Sequence, residues 1–239
     1  DTRGPEVMRV LPRVNEDVNE EWIADKTRFA YDGLKRQRLD RPYVRKDGKL
    51  LPATWAEAFQ AIAAKVKGVP GNRIAAIAGD LADTESMLAL KELMVGLGAA
   101  NIDCRQDGAV FDASSRAGYL FNSGIAGIER ADVILLVGTN PRWEATIVNA
   151  RIRKRYLMGG LKVAVIGEAR ELTYPYSHLG TGAGALRQLV DGTHAFADVL
   201  RGAKNPMVIL GAGAFRRKDG AAVQAAVRKL AETFNVVQD

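Results

Sequence analysis

Ala131-Asp132-Val133-Ile134-Leu135-Leu136-Val137-Gly138-Thr139-Asn140-Pro141 is the stretch that decides the fold. Its apolar run, Val133 to Val137, is too short to span a membrane but long enough for a strand buried on both faces, as the central strands of a parallel sheet are. The residues behind it read as the start of a helix. Asn140 suits the N-cap and Pro141 the first helical position, which predicts a helix from Arg142 to Leu157. The free amides of such a start, at the carboxyl edge of a parallel sheet, form the usual place for a phosphate or nucleotide in open α/β folds.

Working outward, strands and helices alternate. Strands are expected at Ile74 to Ala78, Asn101 to Cys104, Val133 to Val137, Lys162 to Ile166 and Met207 to Leu210, with a last one at Val236 to Val237. Helices are expected at Thr84 to Leu97, Ala113 to Asn122, Ala185 to Asp191, Ala195 to Ala203 and Gly220 to Phe234, and Leu172 to Gly184 reads as a turn-rich connection. Such alternation implies a doubly wound, mainly parallel sheet with helices on both faces. Ahead of it, Asp47-Gly48 between Tyr43-Val44-Arg45 and Leu50-Leu51 signals a hairpin. Thr54 with Glu57 makes a capping box for a helix whose apolar stripe is Trp55, Ala58, Phe59, Ile62, Ala63 and Val66. Residues 5 to 11 read as a short strand, and Asn19 as the cap of a short helix through Ile23. The part up to Pro42 is too polar for a core of its own and should lie against the larger domain; the chain is expected to divide into a small strand/helix extension over 1–52, a remnant of a larger subdomain, and an α/β domain over 53–239 that is incomplete at its C-terminus.

Composition narrows the functions. The chain has 239 residues, 47% hydrophobic and 26% charged, as ordinary globular proteins have. No apolar run approaches a membrane helix and no signal leader stands at the start; with Asp1 in place of an initiator Met, the chain reads as a segment of something longer. The single cysteine, Cys104, excludes an internal disulfide and any multi-cysteine metal site. His178 and His194 have no metal-ligand spacing. A net charge of +6 could suit nucleic acid, but the densest basic runs, Lys35 to Arg41, Arg151 to Arg155 and Arg216 to Lys218, have no aromatic interleaving for base stacking. They read as solvated faces or docking surfaces, the second also complementing a helix dipole.

Three strand exits carry glycine: Gly79, Gly138 and Gly211-Ala212-Gly213. The last is half a dinucleotide fingerprint, with Arg216 where the third glycine belongs. Tight turning of the backbone explains each of them without a ligand. No G-x-S-x-G elbow or paired-carboxylate motif is present, Asp112 with Ser114-Ser115 reads as a helix cap, and Glu144 as an acid placed on a helix dipole.

The run from Arg9 to Leu39, with Asn15-Glu16-Asp17-Val18-Asn19-Glu20-Glu21-Trp22-Ile23-Ala24-Asp25-Lys26-Thr27-Arg28-Phe29 at its centre, resembles the large iron–sulfur subunit family of respiratory complex I, in its alphaproteobacterial and mitochondrial branch. Matches continue through Ile74 to Gly79, Ala131 to Pro141, Asn149 to Lys154, Leu172 to Gly180 and Pro206 to Ala222. The resemblance implies a molybdopterin-oxidoreductase-like α/β domain behind a cluster-bearing amino-terminal part, with 2Fe-2S and 4Fe-4S clusters upstream of residue 1. In molybdenum relatives a G-x-N-P turn helps hold the pterin, and Gly138, Asn140 and Pro141 keep that turn. Relatives with an extra cluster carry cysteine at the position of Ala24, and alanine cannot ligate iron. Val165-Ile166-Gly167-Glu168 replaces a cofactor-binding Asp-Pro-Arg run, and an acidic Glu168 would repel a diphosphate.

The implied reading is a non-catalytic architectural stretch with no cofactor or metal of its own and no catalytic residue. It would lie in the peripheral arm beside the NADH-binding and neighbouring cluster subunits, so that electrons pass from NADH to quinone through clusters elsewhere. That places it at the cytoplasmic face of a bacterial inner membrane, or on the matrix side in a mitochondrion, without inserting into the membrane or binding nucleic acid. Lys35, Arg36, Arg38 and Arg41 are its candidate contact residues. The alternative is a working nucleotide- or pterin-binding oxidoreductase domain that uses Gly138 to Pro141.

Overall fold

The computed structural model describes residues 1–104, 107–112, 114 and 116–237. Along the chain come β1 (Thr2–Arg3), β2 (Glu6–Val7), α1 (Asp25–Phe29), β3 (Tyr43–Lys46), β4 (Lys49–Pro52), α2 (Trp55–Val66), β5 (Ala75–Ile77), α3 (Thr84–Gly96) and β6 (Asn101–Asp103). Then come β7 (Val133–Val137), α4 (Pro141–Glu144), α5 (Thr146–Leu157), β8 (Lys162–Ile166), β9 (Ser177–Gly180), α6 (Ala183–Val190), α7 (Phe196–Arg201), β10 (Pro206–Leu210) and α8 (Gly220–Thr233). The chain forms two compact units, one of Thr2–Met8 with Ala30–Asp107, the other of Asp1, Arg9–Phe29 and Gly108–Asp239.

In the first unit the hairpin forms as expected, Tyr43 pairing with Pro52 and Lys46 with Lys49. Asp47 and Gly48 both take positive φ, 48° and 77°, the two left-handed positions that a tight hairpin turn requires. The Thr54–Glu57 capping box is complete in both directions. Asp83 caps α3 by accepting the Ser86 N–H at 2.7 Å. The stripe of α2 departs from expectation: Trp55, Phe59 and Ile62 are 66%, 60% and 56% exposed. The parallel pair β5–β6 has only three residues per strand.

The second unit holds a four-stranded parallel sheet in the order β10-β7-β8-β9. All five residues of β7 are buried. Alternate side chains go to opposite faces, as the pleat demands. Val133, Leu135 and Val137 join Leu186, Leu189, Leu200 and Leu230 of α6, α7 and α8 on one face. Ile134 and Leu136 join Ile152 of α5, Leu172 and Tyr174 on the other. This is the doubly wound α/β arrangement expected from the alternation. Asp132 fixes β10 beside β7, its carboxylate accepting the N–H groups of Lys204 (2.7 Å) and Asn205 (3.0 Å).

Several elements differ from the sequence reading. The strand expected over 5–11 is reduced to Glu6–Val7 against Thr2–Arg3. The helix expected after Asn19 does not form; Asn15 and Glu20 close a turn on each other, and a helix begins only at Asp25. The predicted helix Arg142 to Leu157 is broken at Ala145, whose φ of −149° and ψ of 67° leave the helical region. The predicted connection Leu172 to Gly184 contains β9, an edge strand with one large aliphatic side chain and hence no periodic signal. Ala113 and Ser115 of the predicted helix Ala113 to Asn122 lie outside the described residues; beyond them there is only a 3-10 turn at Arg116–Gly118. Val236 and Val237 are not a strand.

Candidate functional site

Gly138 follows β7 and Gly211 follows β10, and at these neighbouring strands the chain order reverses, with β8 and β9 on one side of β7 and β10 on the other. In open α/β sheets such a switch point is where the strand ends leave a crevice. Gly138 has φ 59°, in the left-handed region, and its N–H donates to the Ile166 carbonyl at 2.8 Å. The Gly211 N–H donates to the Val137 carbonyl at 2.9 Å. A methyl group on Gly211 would lie 2.2 Å from the Gly138 carbonyl oxygen, so the two exits are packed directly on one another. Beside them is a cleft of about 140 Å³ whose lining includes Gly138, Gly167, Gly182, Leu186, Ala214 and Arg217. Asp219 accepts from the Arg217 guanidinium at 2.7 Å, and that hydrogen bond holds the Asp219 carboxyl below the usual carboxylate range.

The turn after Gly138 is closed in a way the sequence reading did not foresee. Asn140 makes no side-chain cap, and its Oδ1 is buried without a hydrogen-bond partner. Instead the Glu144 carboxylate folds back, accepting the Asn140 N–H at 3.0 Å and the Thr139 hydroxyl at 2.9 Å. A carboxylate therefore sits on the donors that a ligand's anionic oxygen would need. The spacing of Asn140 and Glu144, one helical turn, was the signal available for this contact. Glu168 is paired with Arg170 at 2.5 Å, which offsets the negative charge expected at that position.

The other sequence candidates lie elsewhere. Ala24 is half-buried, and its carbonyl accepts the Arg28 N–H at the start of α1. In the basic run, Lys35 pairs with Glu6 at 3.1 Å and Arg41 with Asp40 at 2.7 Å, while Arg36 and Arg38 are exposed. The run belongs to the first unit and the Gly138 turn to the second. Cys104 is exposed, and among the described residues no three His, Cys, Asp or Glu side chains gather into a metal site. Arg151, read from sequence as part of a solvated face or a docking surface, is buried in the second unit.

Residues 38–239 match the family described as molybdopterin oxidoreductase. The chain belongs to that family. Residues 1–32 match a second family, the NADH-ubiquinone oxidoreductase NDSU1/NuoG-like 4Fe-4S domain. Over its whole length the chain is 49% identical to the G subunit of NADH-quinone oxidoreductase from Rickettsia felis and 48% identical to the mitochondrial NADH dehydrogenase [ubiquinone] iron-sulfur protein 1 of Solanum tuberosum. It covers 36% and 32% of those proteins, so the chain spans about a third of the length of the curated relatives it matches.

For a molybdopterin oxidoreductase, the residues at the switch point fit a nucleotide-bearing pterin poorly. The Thr139 hydroxyl and the Asn140 amide are already bonded to Glu144. The cleft of about 140 Å³ is smaller than the roughly 300–1,000 Å³ of sites for drug-sized ligands. Among the described residues Asn140 Oδ1 is the one buried side-chain oxygen or nitrogen without a partner, and a single acceptor does not hold a diphosphate.

Proposed function

We propose that this stretch is a non-catalytic, architectural part of the large iron–sulfur subunit of NADH:quinone oxidoreductase, respiratory complex I. The similarity over the whole chain to the bacterial G subunit and to iron-sulfur protein 1 supports the subunit, and the match of residues 1–32 to an iron–sulfur domain supports clusters in the whole protein. In this reading 2Fe-2S and 4Fe-4S clusters outside the chain carry electrons from NADH toward quinone. The present residues pack against the cluster-bearing part and against neighbouring peripheral-arm subunits, the NADH-binding subunit among them. The whole assembly sits on the cytoplasmic face of a bacterial inner membrane, or the matrix side in mitochondria. Among the described residues no helix is long and apolar enough to cross a membrane.

The observation that carries the non-catalytic reading is the Glu144 carboxylate on the Thr139–Asn140 turn. An anion already bonded to those donors excludes a second by repulsion and by occupation. The Gly138-Asn140-Pro141 turn is, on this view, inherited and vestigial. Metal and pterin analysis of the purified full-length subunit tests it, together with thermal shift in the presence of guanosine nucleotides. The expected result is no molybdenum, no pterin and no shift, since a ligand bound only by the folded state raises the melting temperature. Stoichiometric pterin, or a nucleotide-dependent rise abolished by Gly138→Val, would establish the active-domain alternative instead.

A further inference from the structure

The segment Arg9–Phe29, most of the part that matches the iron–sulfur domain family, is packed with the α/β unit yet contains no buried residue. Leu11, Val14, Val18 and Trp22 are large and apolar, but each is between 45% and 65% exposed. Hydrophobic burial therefore gives this arm little hold on the sheet. Its turn at Asn15–Glu20 is closed by the Glu20 N–H on the Asn15 carbonyl at 2.7 Å and the Asn15 N–H on the Glu20 carbonyl at 3.0 Å. Glu20 has φ 53°, an uncommon conformation for a non-glycine residue, which persists only where the surroundings hold it.

Two cations one helical turn apart on α5 meet that turn. The Arg151 guanidinium is 5% exposed; it donates to the Glu16 carbonyl at 2.7 Å and to the Glu129 carboxylate at 2.6 Å, and lies 3.6 Å from the Glu20 carboxylate. The Lys154 ammonium donates to both Glu20 and Glu129, the latter at 2.9 Å. Two positive and two negative charges thus balance in one cluster, with backbone from the arm completing it. Of the four charges only Arg151 is buried, and an ion-pair cluster of this kind contributes little net stability relative to apolar packing, because desolvation and solvent screening offset most of the attraction. What it does supply is a defined geometry, since a planar guanidinium fork donates to its partners in few arrangements. Consistent with this, hydrogen bonds from Lys154 and then Arg151 hold the Glu129 carboxyl below the usual range.

We propose that Arg151 and Lys154 are positioning residues, a two-cation socket that receives the Asn15–Glu20 turn and sets the place of the iron–sulfur-type arm on the α/β unit. The arm opens locally when the socket is lost, while the sheet stays folded. The socket does not depend on whether the Gly138 turn binds a ligand. Hydrogen exchange on the full-length subunit in its complex tests it. Arg151→Met is expected to raise exchange in peptides spanning residues 12–22 by at least tenfold while those spanning 133–137 and 162–166 stay unchanged. Arg151→Lys, which keeps the charge but not the fork, is expected to fall between wild type and Arg151→Met. Unchanged exchange over 12–22 would overturn the proposal, and so would a parallel rise in the sheet strands, which would mark Arg151 as a general stability determinant. If Arg151→Met does not fold, Glu20→Gln, made on the arm side of the socket, is judged by the same two criteria.

Discussion

Glu144 closes the turn behind which it stands, its Oε1 accepting the backbone N–H of Asn140, four residues earlier, at 3.0 Å while its Oε2 takes the Thr139 hydroxyl at 2.9 Å. The work usually done by an N-cap side chain is done here from inside the helix, and the residue at the cap position is left with a buried acceptor that bonds to nothing. This arrangement reverses the expected signs of two substitutions. Glu144→Ala should destabilise the protein by about 1 kcal/mol, the usual size of a lost cap. Asn140→Ala should be neutral or slightly stabilising, because it removes a buried polar atom that has no partner. Denaturant unfolding of the two variants side by side decides the matter; a loss of about 1 kcal/mol from Asn140→Ala would show that its side chain caps after all.

The two strand exits give a second pair of contrasting outcomes. A methyl group at Gly211 would lie 2.2 Å from the Gly138 carbonyl oxygen, a backbone atom that cannot yield without parting β7 from β10. Gly211→Ala should therefore cost about 1–3 kcal/mol, the range for overpacking a well-packed site. Two residues on, a methyl group at Gly213 meets no atom within 4 Å, and Gly213→Ala should lie within about 0.5 kcal/mol of wild type. Equal melting temperatures for the two would contradict the close approach of the exits.

Much of the α/β unit was legible because its signal is local. Val133 to Val137 is apolar without interruption, and the structure buries every one of those residues. The Asp47-Gly48 turn and the Thr54–Glu57 box likewise depend on residues within a few positions of each other. The illegible part depends on residues far apart in sequence. Arg151 looks like one cation in a basic run, and only its contacts with Glu16 and Glu20, more than 130 residues earlier, make it a buried one. At the switch point, Gly138, Asn140 and Pro141 were readable as a turn, but the rotamer that brings Glu144 back over it was not. The exposed stripe of α2 shows the converse limit, since a helical apolar period predicts a face and not what covers it.

Acid should loosen one tie in the second unit at a defined place. The Asp112 carboxyl is lowered from 3.8 to about 2, chiefly by the Ser114 hydroxyl and next by the Arg228 guanidinium. A group whose folded-state pKa is depressed contributes stability that is fully present above its unfolded value and is lost as the pH falls through the folded one. The contact with Arg228 on α8, 2.6 Å long, should thus persist above about pH 4 and open between about pH 4 and pH 2. Protection factors in a peptide covering 107–112, taken relative to the intrinsic rate at each pH, should fall across that window in the wild type and be already low and unchanging in Asp112→Asn. Wild-type protection that stays constant down to pH 2 would count against the assignment.

Charge reversal in the basic run tests the proposed contact surface. Lys35 and Arg41 already have Glu6 and Asp40 as partners, so reversing either disturbs the chain itself. Arg36 and Arg38 are exposed, and an exposed guanidinium that meets carboxylates on a neighbouring subunit can pair with them in a fork. The double variant Arg36→Glu, Arg38→Glu should fold with wild-type stability and reduce the yield of assembled complex several-fold, more strongly at low ionic strength. Native gels of membranes expressing the variant measure this, and an unchanged yield would mean that the run is not a contact surface.

Tyr174 and Asn149 carry the last prediction, because they hold in place the connection that leads into β9. The Tyr174 hydroxyl donates to Asn149 Oδ1 at 2.8 Å, and Asn149 Nδ2 donates to the Leu172 carbonyl at 3.1 Å, all of it buried. Burial also pushes the Tyr174 hydroxyl well above its ordinary pKa, so it remains a donor through the alkaline range. Tyr174→Phe keeps the ring but leaves Asn149 Oδ1 unpaired, which should cost about 1–3 kcal/mol. Asn149→Leu alone strands both the Tyr174 hydroxyl and the Leu172 carbonyl and should cost at least as much. The double variant restores an apolar contact between the two side chains, so its loss should be smaller than the sum of the single losses by about 1 kcal/mol. Strict additivity in that cycle would mean that the two groups do not depend on each other, and that β9 is positioned by its backbone pairing with β8 alone.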